Sequence, residues 1–259
     1  DGLLALEDPV QMHVPESVTI PSRGNQQIRL VDLSTHRSGL PPLPDNFQPA
    51  DMSNPYAGFT VQMMYDFLSG HSLRRDVGSQ YEYSNLAVGL LGHVLALRNA
   101  SDYEILVKER VLGPLGLENT GITLTPAMER HIAKGHDQSG NVVAYWDLPT
   151  LAGAGALRSN MNDMLDFIEA NVGEPRSDLE RSMRRSHEVR ESAGGGSVGL
   201  NWHVQVQGDD RTVWHNGGTA GFRTFAGFDP ERGVGAVVLT NSAHSVDDIG
   251  FHLINNAVP

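Results

Sequence analysis

The feature that most constrains this chain is a change of hydrophobic period at the glycine run Gly194-Gly195-Gly196. Before it, apolar residues recur at helical spacing. Phe59, Met63, Met64, Phe67 and Leu68 share one face, with Thr60 as a cap, and a second helix is predicted from about Leu86 to Arg98. A third is expected over Asp102 to Val111, with Ser101 as N-cap, Glu104 three residues on and Gly113-Pro114 as the stop. Asn160, followed by Asp163, Met164, Leu165, Phe167 and Ile168, opens a fourth helix that ends near Gly173. Gln138-Ser139-Gly140-Asn141 marks the turn of a small hairpin.

After Gly199 the apolar runs are short: Trp202–Val206, Thr212–Trp214, Thr224–Phe228 and Gly235–Thr240. Gly208-Asp209-Asp210, Gly217-Gly218 and Asp229-Pro230 separate them, which predicts an antiparallel meander. Ser245, with Asp248 three residues later, is expected to cap a terminal helix running to about Asn256. A helical half followed by a sheet with one backing helix means an α+β or two-lobed α/β architecture. The expected organisation is a connecting segment over 1–32, a mainly helical domain over 33–170, a linker over 171–199, and the sheet with its helix over 200–259.

Composition excludes several functions. None of the 259 residues is cysteine, so disulfides, thiolate chemistry and Cys-ligated metal centres are ruled out. A formal net charge of −12, with Lys108 and Lys134 the only lysines, argues against nucleic acid or an acidic membrane as partner. No stretch approaches the roughly 20 apolar residues of a membrane span, the longest being interrupted by Gly89, Gly92 and His93. The eleven histidines do not suggest a metal site, since His131 and His136 are spaced i, i+5 and no His-Glu-x-x-His occurs.

Two short motifs could carry chemistry, and each has a plain structural reading. Tyr83-Ser84-Asn85 opens the Leu86 helix, where Ser84 or Asn85 would serve as cap and Tyr83 would sit with Tyr81 at the entrance. His215-Asn216-Gly217-Gly218-Thr219 follows a strand and reads as a glycine-rich hairpin turn with a rim histidine. Gly195-Gly196-Ser197-Val198-Gly199 fits the Gly-x-Ser-x-Gly nucleophile elbow in letters only, because that elbow needs a strand before it and a helix after it. Gly70-His71-Ser72 is weaker still.

Taken in order along the chain, Tyr-x-Asn at a helix start and His-x-Gly-Gly at a strand edge resemble the class C β-lactamase and penicillin-binding-protein superfamily, with its esterase relatives. The likeness extends over Leu6-Glu7-Asp8-Pro9-Val10, Leu33 to Leu40, Pro114-Leu115-Gly116-Leu117 and Ala154 to Ser159 with Asp163. It continues through Gly199-Leu200-Asn201-Trp202 and Phe228-Asp229-Pro230-Glu231 to Leu239-Thr240-Asn241. The resemblance implies a β-lactamase/transpeptidase-like fold, a helical domain inserted in an antiparallel-sheet α/β domain. It also implies a serine hydrolase that forms an acyl-enzyme on a small-molecule β-lactam, ester or cell-wall peptide, without cofactor or metal, in the periplasm or secreted.

By the same resemblance Tyr83 would be the general acid/base, Asn85 would hold the substrate carbonyl or a lysine, and Gly218 would offer an oxyanion donor. Asn216, Gly217 and Thr219 would line the substrate strand. His215 stands where the more usual motif has lysine, which makes the positive charge there depend on pH. The family's Ser-x-x-Lys occurs nowhere in these residues. The resemblance therefore places the nucleophile helix and the first strands before Asp1, and an N-terminal fragment or a second copy is expected to complete the fold. The alternative is a non-catalytic binding relative that has lost its nucleophile.

Overall fold

A computed structural model describes residues 2–208 and 210–256. Asp209, within the predicted turn at Gly208-Asp209-Asp210, lies outside the described residues, as do Asp1 and 257–259. The chain forms two compact units, one comprising Asp1–Leu106 with Asp147–Ala156, the other Val107–Trp146 with Leu157–Pro259.

In the first unit a two-residue hairpin, β1 (Ser22–Arg23) and β2 (Gln26–Gln27), precedes helices α1 (Leu30–Ser34), α2 (Val61–Gly70) and α3 (Asn85–Arg98). Thr60 caps α2 as predicted, its hydroxyl accepting the Met63 N–H at 3.2 Å. The axis of the unit is α3, whose Leu86, Leu90 and Val94 are fully buried. Its two internal glycines have a packing cause. A Cβ on Gly89 would lie 2.5 Å from Leu151 Cδ2, and one on Gly92 would lie 2.9 Å from the Gly153 Cα. The 3₁₀ turn Ala152–Ala154 thus crosses the helix where it is bare.

Helix α4 (Tyr103–Val107) starts at Asp102, whose carboxylate accepts the Ile105 N–H at 2.8 Å, so Asp102 and not Ser101 caps it. Gly113-Pro114 does not stop the helical path. A π-turn, Lys108–Leu112, passes into the short α5 (Gly113–Leu115), which ends at Gly116 with φ 71°. Proline is tolerated in a first turn because its missing N–H has no partner there, so the left-handed glycine supplies the stop.

The second unit continues with α6 (Pro126–His131), the hairpin β3 (Gly135–His136) and β4 (Val142–Val143), α7 (Met161–Val172) and α8 (Asp178–Ser186). The hairpin turn falls at 138–141 as predicted, held by the Asp137 carboxylate on the Ser139 and Asn141 amides. Asn160 caps α7, accepting the Asp163 N–H at 2.9 Å. The predicted linker contains structure. Helix α8 is capped by Ser177, and Gly194-Gly195 form the turn joining β5 (Glu191–Ala193) to β6 (Gly196–Val198). Both glycines adopt positive φ, 52° and 106°, which accounts for the run.

The strands β7 (His203–Gln207), β8 (Asp210–Thr219), β9 (Phe222–Asp229) and β10 (Val234–Thr240) complete a six-stranded antiparallel sheet in the order β10-β9-β8-β7-β6-β5. The last helix, α9, runs over Asp247–Asn255. Its N-cap is Val246, without a side-chain cap bond, and the Ser245 hydroxyl instead accepts the Asp247 N–H at 3.3 Å. Among the described residues no helix is long and apolar enough to cross a membrane.

Helices cover both faces of this sheet. Ile168 of α7 is buried with Val204, Val213, Phe228 and Val237 on one face. On the other, Ile254 of α9 is buried with Phe225 and Ala236, against Trp214 and Phe251. Two covered faces explain why Thr224–Phe228 and Gly235–Thr240 read as mainly apolar runs, whereas β7 alternates and leaves Val206 exposed.

The β3–β4 hairpin rests on the turn between β8 and β9, where the Gly221 carbonyl accepts the His136 N–H at 3.2 Å. A Cβ on Gly221 would stand 2.4 Å from His136 N and 2.5 Å from the Gly135 carbonyl carbon. Backbone atoms cannot rotate aside, so Gly221→Ala is expected to cost about 1–3 kcal/mol. A lowered urea midpoint with an unchanged m-value would register this, and an unaltered midpoint would contradict it.

Candidate functional site

Tyr83 and Asn85 belong to the first unit, His215 to Thr219 to the second. Ser84 makes the local geometry of the first pair. Fully buried, it caps α3 by accepting the Ala87 N–H at 3.0 Å, while its hydroxyl donates to the Pro41 carbonyl at 2.6 Å. The capped helix start holds Tyr83 and Asn85 on either side of a fixed serine. Tyr83 is 38% exposed, with its ring 4.4 Å from that of His36. Burial, and then the neighbouring Tyr56, raise its phenol above the usual value. Asn85 is hydrogen-bonded to the side chain of Tyr56, whose phenol is also raised by burial.

The second group differs from its plain structural reading. Gly217 and Gly218 are not a turn. They lie within β8, opposite Thr224 and Arg223 of β9, and the chain reverses only after Thr219, at Ala220-Gly221. Gly-Gly signals a turn when it uses left-handed φ, and neither glycine does so here. They are needed for lack of room. A Cβ on Gly217 would be 2.4 Å from Thr224 Oγ1, and one on Gly218 would be 2.8 Å from an Arg223 guanidinium nitrogen. That guanidinium donates to the Thr219 and Phe222 carbonyls at 3.1 and 3.0 Å.

Pairing along β8 is asymmetric. Strand β7 begins at His203, opposite Trp214, whereas β9 pairs with β8 as far as Thr219. Residues 215–219 therefore have a strand on one side and none on the other among the described residues. His215 leads this half-edge. Its Nδ1 lies 2.7 Å from the Asn216 carbonyl, and its ring stacks on His203 at 5.2 Å. Burial lowers the His215 imidazole despite that hydrogen bond. His203 is lowered to about 4, by burial first and by His215 second. Asn216 donates to the Asp247 carboxylate at 2.8 Å, which ties the strand to the start of α9.

Tyr56, His36, His203 and Asp247 thus shape the two groups, and none was predicted as a site residue. Thr224 and Arg223 could have been found by counting register back from the β8–β9 turn. His36 lies in the Leu33 to Leu40 stretch of the family likeness, but nothing local links it to its partner Ser84, 48 positions away. Ser197 lies on β6, inside a hairpin with strands before and after it, so the nucleophile-elbow context is lacking. Among the described residues no three His, Asp or Glu side chains are grouped to hold a metal ion.

A family model described as Beta-lactamase matches residues 1–257. Among curated proteins, the chain is 26% identical over 262 residues to the D-alanyl-D-alanine-carboxypeptidase/endopeptidase AmpH of Escherichia coli, covering 93% of this chain and 66% of that protein. It is 25% identical over 276 residues to a Beta-lactamase of Pseudomonas fluorescens, covering 93% of this chain and 73% of that one. Among solved structures, the Beta-Lactamase/D-Alanine Carboxypeptidase of Pseudomonas syringae superposes with a TM-score of 0.85 at 20% identity, covering 100% of this chain and 79% of that one. The fold is therefore β-lactamase/transpeptidase-like, with helices and an antiparallel sheet. The chain spans just under two thirds of the length of the AmpH relative.

Proposed function

Because this chain belongs to the Beta-lactamase family, we propose that it carries the proton-transfer and oxyanion elements of a serine hydrolase that forms an acyl-enzyme. The bonds it acts on are β-lactam, ester or peptide-like amide, and the nucleophile comes from a Ser-x-x-Lys segment outside these 259 residues. The half-edge of β8 carries this reading. A backbone paired on one side and open on the other can take an extended acyl group as an added strand. Gly217 keeps that strand bare, and the Gly218 N–H is the oxyanion donor from this chain. Asn216 and Thr219 flank the substrate strand.

Tyr83 is the general acid/base. Its phenol is protonated at neutral pH, as an ordinary tyrosine already is, and burial raises it further; that is the form that gives a proton to a leaving nitrogen or oxygen. Taking a proton from a serine requires a cation close by, which is the part for the lysine of Ser-x-x-Lys. Asn85, anchored by Tyr56, orients the substrate carbonyl or that lysine. His215 is neutral at pH 7 because burial depresses it, so a substrate carboxylate meets no fixed charge there. Acidification protonates it. Binding of a carboxylate ligand should tighten as pH falls, while a neutral ester should be indifferent.

Titrating the 15N-labelled 259-residue chain with benzylpenicillin and with its methyl ester tests this, at pH 7 and at successively lower pH followed until the His215 ring signals titrate. Signals of Tyr83, Asn85 and 215–219 are expected to shift reversibly, with no covalent adduct and with acid strengthening only the free acid. An adduct mapped to Ser197 or Ser72 would sink the placement of the nucleophile. Unmoved signals at 215–219 with both ligands would sink the substrate strand.

A further inference from the structure

We propose that His36 is the positioning residue for Tyr83, holding the backbone on both sides of it and carrying its ring. The importance of that position rests on the acid/base reading of Tyr83, but the contacts themselves do not. The His36 carbonyl accepts the Glu82 N–H at 2.8 Å, and its Nδ1 accepts the Ser84 N–H at 3.1 Å. The residues before and after Tyr83 are thus tied to a single distant residue. The Tyr83 ring then lies on the imidazole at 4.4 Å, inclined by 33°, and Tyr81 meets the same imidazole edge-on at 5.7 Å.

Two properties of His36 go beyond what filling space requires. It is 1% exposed, so its ring cannot swing into solvent. Its φ is 57°, in the left-handed region that side-chain-bearing residues enter at a cost. This backbone conformation turns the carbonyl to Glu82 while the side chain reaches Ser84. Because Nδ1 accepts an amide hydrogen, the neutral ring carries its proton on Nε2. A proton on Nδ1 would break the tie to Ser84, so the buried imidazole is locked in one tautomer. Reaction geometry tolerates little displacement, and a side chain held at both flanking amides loses little freedom when substrate arrives.

The first measurement needs only the unmodified 259-residue chain, labelled with 15N and with 13C in its histidine and tyrosine rings. A through-hydrogen-bond coupling between the Ser84 amide nitrogen and His36 Nδ1 is expected, with the shift of an unprotonated Nδ1. A protonated Nδ1 would overturn the proposal.

Two variants then separate fold from position. Asparagine tolerates left-handed φ and offers an acceptor near Nδ1, so His36→Asn should keep the Ser84 amide protected. The Tyr83 ring signals should nevertheless lose their ring-current shift, and its phenol should titrate at a different pH, with Tyr81, Tyr56 and the Arg75–Glu82 pair still around it. His36→Ala should speed exchange of the Ser84 amide by roughly tenfold or more, as for a buried donor left unpaired. If both variants only lower the unfolding midpoint and leave the Tyr83 ring signals and titration in place, His36 is structural and the proposal fails. Penicillin-induced shifts at 215–219 are read separately, so failure of the substrate reading would leave these outcomes interpretable.

Discussion

Replacing Phe225 with alanine is expected to remove about 3–5 kcal/mol of folding stability. The ring is fully buried, stacked against Trp214 at 6.0 Å and met edge-on by Phe251 at 5.1 Å. Its pocket cannot collapse easily, because one wall is the bare backbone of α9 at Gly250. A Cβ on Gly250 of α9 would come within 2.2 Å of the Phe225 ring, so helix and ring are already at closest approach. Against a total of about 5–15 kcal/mol for a domain, this loss is a large share. Phe225 also pairs with Asn216 in the β8–β9 ladder, so the damage falls behind the candidate substrate strand. Urea unfolding should show the drop, and amide exchange over 216–219 should quicken more than over β5 and β6. A Phe225→Ala variant within 1 kcal/mol of the parent would contradict this account of the α9 layer.

Acid should destabilise the chain through His187. Only 3% exposed, this residue lies edge-on to Phe228 at 5.1 Å, and neither ring nitrogen has a hydrogen-bond partner among the described residues. Burial, then the Arg211 and Arg184 guanidinium groups, push its imidazole down to about 4 from an ordinary 6.5. In the unfolded chain it takes a proton near the ordinary value, and in the folded chain only near 4. The neutral ring's contribution is therefore complete above about pH 6.5 and is lost as pH falls toward 4. At 1.36 kcal/mol per unit, the full interval is worth on the order of 3 kcal/mol. His203, lowered to about 4 by burial and by His215, acts in the same direction. Unfolding free energies measured from pH 7 to 4 should fall less steeply in His187→Leu than in the parent. Equal slopes would show that His187 does not carry the acid sensitivity.

Local chemistry was legible wherever it acts within a few residues. Thr60 and Asn160 cap their helices because a hydroxyl or amide oxygen three residues before an unpaired N–H needs no tertiary help. The hairpin at 138–141 formed for the same reason, through Asp137 and Gly140. Helix α8 lies in the stretch expected as linker although Ser177 and Glu180 stand at capping spacing, because the face it buries, at Glu180 and Met183, offers too few apolar residues among the charged ones to stand out. Tyr83-Ser84-Asn85 and His215 to Thr219 stood out as motifs, and the helix start of the first is where the sequence placed it.

What the sequence by itself determined, then, was a helical half followed by a run of strands, the caps at Thr60 and Asn160, the family likeness and the two motifs, all set by neighbours along the chain. Tertiary structure decided how glycines are used: Gly194-Gly195 turn a hairpin, while Gly217-Gly218 lie flat in a strand. The same dipeptide serves either end because its conformation is chosen by what the next strand pairs with, and Thr224 and Arg223 leave no room for a side chain opposite Gly217 and Gly218. Only the folded chain brings His36 beneath Tyr83, Tyr56 to Asn85 and His203 onto His215. Those contacts join residues far apart in sequence, and their energies arise from burial and ring packing that no short window of residues contains.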